Sequence, residues 1–227
     1  MYIIGIAGGS GSGKTTFAKK VCRHVTRDIC LLHMDSYYLP IPSKELYTER
    51  GRPNFDHPRA FDWPLLRKHL QMLKEGKSIK APIYDFKSSM RTDNYEVVGP
   101  SSIVIFEGIF TLFDAEIRDM LDIRSFLHVD SDIRFARRLD RDVQERGRRL
   151  QDVIDQYYDT VRPMYQQFLE PQQQYADFIV GEETDVAASI LSAKVQELID
   201  NKDNPKYNPA LQRDHLQTKE SLGLHEH

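Results

Sequence analysis

Eight consecutive residues, Gly8-Gly9-Ser10-Gly11-Ser12-Gly13-Lys14-Thr15, fit the pattern G-x-x-x-x-G-K-[ST] at every fixed position. Glycines let a backbone wrap closely around phosphate oxygens so that successive amides point inward, and a helix N-terminus adds a favourable dipole. Lys14 has the length to reach β- and γ-phosphates, the Thr15 hydroxyl can ligate Mg²⁺, and Thr16 continues the same turn. The context matches the mechanism: the apolar run Tyr2-Ile3-Ile4-Gly5-Ile6-Ala7 leads in, and a helical stretch from Thr16 to Val21 leads out. These residues predict a site for ATP with Mg²⁺.

Such a loop serves kinases, GTPase switches and motors alike. A guanine reader would need Asn-Lys-x-Asp after a late strand, and Asn201-Lys202-Asp203-Asn204 carries its aspartate one place early. A chain of 227 residues is short for a large ATPase machine. Two carboxylates favour phosphoryl transfer to a hydroxyl. Asp35 ends the apolar run 29–34 and Glu107 ends the run 102–106. Strand ends are where ligands gather in a parallel α/β sheet. Asp35 is expected to accept the hydroxyl proton, with Glu107 on the Mg²⁺ side beside Thr15 and Asp35. Downstream, Arg134, Arg137, Arg138, Arg141, Arg146, Arg148 and Arg149 crowd a helix and the turn after it, with Gly147 as a hinge. Three or four of them are expected to reach nucleotide and neutralise the transferring phosphoryl group, Arg141 among them, while the rest pair with acids on the surface.

Those groups need a scaffold. Strands are expected at 2–7, 29–34, 102–106, 125–129 and 177–180, with helices between them, which is the pattern of a five-stranded parallel sheet flanked by helices. The helix 62–75 has Asp62 as N-cap, Pro64 in its first turn, Leu66, Leu70 and Leu73 at helical spacing, and Gly76 as its stop. Helices are also expected at 132–146, at 150–170 with an interruption at Pro163, and at 185–200 with Val186, Ile190, Leu191, Val195 and Leu198 on one side. Residues 79–98 read as a β-ribbon insertion, 132–150 as a helical arginine-rich lid, and 36–60 as a long functional loop. Residues 1–200 then form one kinase domain, followed by a polar, flexible tail at 201–227.

Composition is that of a soluble globular protein, 40% hydrophobic and 29% charged. A net charge of −3 argues against a nucleic-acid binder. No apolar run suits a membrane span and no leader pattern precedes the first strand, so a cytoplasmic protein is expected, with Cys22 and Cys30 as reduced core thiols.

Taken together the motifs resemble the uridine–cytidine kinase family of P-loop nucleoside kinases. The resemblance covers about residues 1–200 and rests on the phosphate loop, Asp35-Ser36-Tyr37-Tyr38, Asn54-Phe55-Asp56-His57-Pro58, Ala60-Phe61-Asp62, Pro82-Ile83-Tyr84-Asp85-Phe86, Phe106-Glu107-Gly108-Ile109 and Arg141-Asp142-x-x-Glu145-Arg146-Gly147-Arg148. It implies phosphorylation of a nucleoside 5′-hydroxyl by ATP or GTP, in a homotetramer. Asp35 matches the catalytic base, and Lys14, Thr15 and Glu107 match the ATP–magnesium residues. Asp56 matches a carboxylate on the ribose hydroxyls. Tyr38, Phe55, Tyr84, Phe86 and Ile109 match the walls of a nucleoside pocket, and Arg138, Arg141, Arg146, Arg148 and Gln156 match lid and substrate-side positions.

One position departs from the pattern. Four residues after Asp85 the family has a histidine that contacts the pyrimidine, and this chain has Ser89. Lys87 or Arg91 could restore that contact; otherwise the acceptor could be a different nucleoside. A phosphosugar acceptor and a non-catalytic ATP-binding regulator are the remaining readings. Asp56 with its aromatic neighbours weighs against the first, and intact Lys14, Asp35 and Glu107 weigh against the second.

Overall fold

The central strand β1 (Tyr2–Gly8) is buried along its whole length and alternates its side chains between two cores. Tyr2, Ile4 and Ile6 face one core, Ile3 and Ala7 the other. Its neighbour β5 (Ile103–Gly108) repeats the alternation, with Ile103 and Ile105 on the first side and Val104 and Phe106 on the second. A strand covered on both faces reads as a continuous apolar run, which is why both were visible in the sequence. The protein is described here by a computed structural model over residues 1–25, 29–40, 44–86, 88 and 90–201.

The sheet is completed by β2 (Ile29–His33), β6 (Ile123–Leu127) and β7 (Phe178–Val180), all parallel, in the order β2-β5-β1-β6-β7. The register pairs Ile6 with Glu107 and His33 with Glu107, so β1, β2 and β5 end together around the phosphate loop. On one face lie α1 (Lys14–His24) and, packed on it, α7 (Asp185–Asp200), closing the core of Phe17, Val21, Leu191 and Val195. On the other lies α2 (Trp63–Lys74). Asp62 Oδ1 accepts from the Leu65 amide at 3.2 Å, Leu66, Leu70 and Leu73 are fully buried, and Gly76 stops the helix at φ 74°.

An antiparallel ribbon of β3 (Ile79–Asp85) and β4 (Met90–Val98) extends from this side, its register shifting between Pro82 and Tyr84. Pro82 offers no amide to the ladder, so the pairing slips there and re-aims Tyr84. Arg91 ties the ribbon down, donating to Asp62 Oδ2 at 3.0 Å and to the Tyr37 carbonyl at 3.0 Å. Residues 34–60 contain short 3₁₀ turns at Met34–Tyr37, Lys44–Leu46 and Pro58–Ala60. After β5 come the short α3 (Ala115–Met120) and then α4 (Ser131–Gln144), which carries most of the arginines.

Three expectations change. The segment after α5 (Leu150–Gln156) is not broken at Pro163. It continues through wide π turns at Tyr157–Val161 and Tyr165–Leu169 on either side of α6 (Arg162–Met164), and ends in the 3₁₀ turn Glu170–Tyr175. Wide turns give the proline ring and its missing donor room without ending the helix. On α7 the buried face is Ala188, Leu191, Ser192, Val195 and Leu198, whereas Val186 and Ile190 are 73% and 67% exposed. Helical rotation places those two opposite the stripe. Cys22 and Cys30 form no disulfide, and both are half-buried rather than core residues. Among the described residues no helix is long and apolar enough to cross a membrane. The expected tail beyond Asn201 lies outside the described residues.

Candidate active site

The phosphate loop leaves β1 and turns directly into α1. Gly11 and Gly13 adopt φ of 81° and 88°, open to glycine at no steric cost. Gly11 also has no room for a side chain, since a Cβ would stand 2.2 Å from the Arg134 carbonyl oxygen. No side chain caps α1, which leaves its first amides for a ligand. Ser10, Gly11, Gly13, Lys14, Thr15 and Thr16 line a cavity of about 650 Å³; Gly8, Gly9 and Ser12 shape the loop behind it.

Across from the loop stand the strand-end acids. Glu107 Oε1 accepts from Thr15 Oγ1 at 2.9 Å and is bonded to His33 Nδ1 at 2.6 Å. Burial alone would raise the Glu107 carboxyl, but the His33 bond, the Lys14 charge and Thr15 outweigh it and hold it below its usual range. The same bond raises His33. Lys14 is buried, and desolvation lowers its ammonium against the pull of Glu107 and Asp35. Asp35 is shifted upward by desolvation, with Lys14 opposing. A carboxyl drawn upward is a better proton acceptor than an ordinary surface aspartate, which suits it to a hydroxyl nucleophile.

Thr15, Glu107 and Asp35 form a hard-oxygen donor set next to Lys14. No cluster of three or more His, Cys, Asp or Glu side chains among the described residues forms a closed metal cage. Oxygen donors of this kind suit Mg²⁺, which keeps waters and substrate phosphates as ligands and needs only one or two protein oxygens.

The opposite end of the cavity is aromatic. Phe55 meets Tyr38 edge-on at 5.8 Å, Tyr38 lies 5.1 Å from Tyr84, and Tyr84 meets Phe86 at 5.3 Å. The Arg146 guanidinium covers Phe86 at 4.1 Å, and Ile109 closes the wall. Desolvation raises the Tyr38 hydroxyl well above its ordinary value, so it stays protonated. Asp56 is 8% exposed; its amide donates to Asn54 Oδ1 at 3.1 Å and its Oδ2 accepts from Thr160 at 2.9 Å. Asn54 and His57 brace the surrounding turns, His57 Nδ1 accepting from the Arg59 amide.

Arg138, Arg141, Arg146 and Arg148 converge on this cavity around one buried acid. Asp142 is fully buried, with Arg141 at 2.8 Å and Arg146 at 3.2 Å from Oδ1, and Arg138 at 3.6 Å and Arg148 at 3.7 Å from Oδ2. Burial would raise its carboxyl, but these cations overcome that and lower it. Arg138 also donates to Ser10 Oγ at 2.8 Å and to Gln156 Oε1 at 3.0 Å, and Arg148 to the same Gln156 oxygen at 2.8 Å. Arg137 pairs with Glu182, and exposed Arg149 faces Asp152 at 4.0 Å. Arg134 differs from the surface pairing expected of it. It is buried, donates to the Val129 carbonyl and lies 3.7 Å over Tyr165, bracing the phosphate loop.

Ser89 and Lys87 lie outside the described residues. Arg91 donates to Asp62 and to the Tyr37 carbonyl. Sequence reasoning missed His33, Asp142 and Thr160. His33 had a signal, its place at the end of β2 two residues before Asp35. Asp142 looked like one solvated acid among several, and Thr160 offered no signal because π turns set its direction.

A phosphate loop, adjacent strand-end carboxylates and an arginine-rich helix on this sheet define a P-loop kinase. Residues 3–189 match the family described as Phosphoribulokinase / Uridine kinase. The chain is 47% identical to the uridine kinase of Lactobacillus helveticus over 201 residues, covering 87% of this chain and 95% of that one. It is 44% identical to the uridine kinase of Halobacterium salinarum over 196 residues, covering 86% and 87%. The structure of a "Possible Uridine Kinase" from Bacillus stearothermophilus shares the fold, with a TM-score of 0.57 at 20% identity, covering 78% of this chain and 87% of that one. The chain belongs to the phosphoribulokinase/uridine kinase family and is an ATP-dependent kinase.

Proposed function

We propose that this kinase phosphorylates the 5′-hydroxyl of a ribonucleoside, uridine or cytidine, with ATP and Mg²⁺. The observation that carries the reading is the cavity itself. Lys14 and Asp35 stand at its phosphate end, and at its other end the buried Asp56 lies among Tyr38, Phe55, Tyr84 and Phe86. A carboxylate suits a vicinal diol and aromatic walls suit a base. Relatives named uridine kinase at 44% and 47% identity support the same acceptor.

In this reading the phosphate-loop amides and Lys14 hold the triphosphate, while Asp35 takes the proton of the 5′-hydroxyl. The freed oxygen bonds to the γ-phosphorus as the bridging β–γ bond breaks, and ADP leaves. Arg138, Arg141, Arg146 and Arg148 offset charge on the transferring group. Thr15, Glu107 and Asp35 would hold Mg²⁺, which would supply charge neutralisation for the triphosphate. GTP as a second donor, a homotetrameric assembly and a cytoplasmic setting belong to the same reading.

The second reading keeps the chemistry and changes the base. It is favoured by Ser89 in the sequence and by the engagement of Arg91 elsewhere. ADP release measured with uridine, cytidine, adenosine, guanosine, inosine and ribulose 5-phosphate separates these readings. Stimulation by a nucleoside, with the 5′-monophosphate recovered as product, is expected. Stimulation by the phosphosugar alone, or by none of the acceptors, would refute the nucleoside reading.

A further inference from the structure

Asp56 is a buried carboxylate without an ion pair among the described residues, and the side chain that donates to it is Thr160. Thr160 is 1% exposed, with Oγ1 at 2.9 Å from Asp56 Oδ2 and 3.1 Å from the Gln156 carbonyl oxygen. A hydroxyl has one hydrogen, and the carboxylate is the stronger of these acceptors, so the hydrogen belongs to Asp56. The other acceptor positions of the carboxylate stay open to hydroxyl donors from a ligand in the cavity.

Thr160 lies within the π turn Tyr157–Val161, in which the Arg162 amide bonds back to the Tyr157 carbonyl. This turn immediately follows Gln156, which lines the same cavity. We infer that Thr160 is a positioning residue: it clamps Oδ2 so that the Asp56 carboxylate meets both hydroxyls of a vicinal diol. The inference rests on the nucleoside reading and assigns that reading a discriminating residue outside the cavity wall.

The test compares wild type, Thr160→Val and Thr160→Ser with uridine and 2′-deoxyuridine as acceptors. Valine keeps the volume and removes the hydroxyl, so KM for uridine is expected to rise about tenfold, the scale of one hydrogen bond to a charged group. The preference for uridine over 2′-deoxyuridine falls by a similar factor, because the deoxy acceptor lacks the second hydroxyl. Serine restores both, and KM for MgATP and kcat move much less than KM for uridine. Where valine prevents folding, judged by thermal melting and ADP binding, Thr160→Ala carries the same comparison. Equal losses for the two acceptors, failure of serine to rescue, or an unchanged uridine KM in the valine or alanine variant would overturn the inference. A wild type that turns over no nucleoside overturns the acceptor reading itself, and the inference with it.

Discussion

Replacing Asp142 with asparagine keeps the side-chain shape and removes the one negative charge shared by Arg138, Arg141, Arg146 and Arg148. The carboxylate is fully buried, while the arginine side chains are 7%, 31%, 19% and 27% exposed. Breaking a buried ion pair from one side costs about 3–5 kcal/mol. Solvent around three of these arginines lowers the expected loss to about 2–3 kcal/mol, equivalent to a fall in Tm of about 5–10 °C for a domain of this size. The sign of the pH dependence follows from the depressed carboxyl. Its stabilisation is complete above the unfolded aspartate pKa of about 4 and is lost as pH falls through the lower folded value. Thermal melting of wild type and Asp142→Asn should therefore differ by a constant amount from pH 6 to 8 and converge in acid. The arginines also lose their brace, so KM for ATP should rise. A Tm within about 1 °C of wild type at pH 7, or a gap that does not close in acid, would refute the view of Asp142 as the hub of the lid.

Lys14→Ala should reduce kcat/KM for ATP by at least about 10²-fold, the scale of a lost charge on the transferring phosphate, with Tm changed little; turnover within twofold of wild type would reject the assignment. Asp35→Asn preserves shape but cannot take the proton, so kcat should fall at least about 10²-fold while acceptor affinity, measured calorimetrically with a non-hydrolysable ATP analogue, changes much less. Ser89→His should raise kcat/KM for uridine and cytidine relative to adenosine, guanosine and inosine. A wild type that already prefers pyrimidines strongly, with no gain from histidine, would show that this position does not read the base.

The phosphate site was legible because its chemistry is contiguous: one loop, its strand and its helix occupy residues 2–24. Asp35 and Glu107 were legible because strand ends in a parallel sheet converge. The side of α7 was misjudged because Val186 and Ile190 are apolar yet face outward, and hydrophobicity alone does not orient a helix. Asp142 was obscure for a different reason. In sequence it is one of several acids among the arginines, and only the fold selects it as the buried one while Asp132 and Asp140 stay nearer the surface. Thr160 could not be oriented from helical spacing, since the π turns on either side of Pro163 break that spacing.

The arginines of the lid are not free cations waiting for phosphate. Arg138 already serves Asp142, Ser10 and Gln156, and Arg148 serves Asp142 and Gln156. A triphosphate that recruits Arg138 gains only the difference between its own contacts and those it displaces. Asp142 makes this workable, because four guanidinium groups packed together without it would repel one another. Gln156 extends the arrangement toward the acceptor. Its side-chain oxygen accepts from the two arginines, while its backbone carbonyl lies 3.1 Å from the Thr160 hydroxyl that holds Asp56. Ser10 on the phosphate loop and Asp56 at the far end of the cavity are therefore linked through Arg138, Gln156 and Thr160, by hydrogen bonds at Ser10, Gln156 Oε1 and Asp56 and by the 3.1 Å approach of the Gln156 carbonyl to Thr160 Oγ1. Recruiting Arg138 to phosphate would take from Gln156 Oε1 one of its two guanidinium donors, one residue before the turn that carries Thr160.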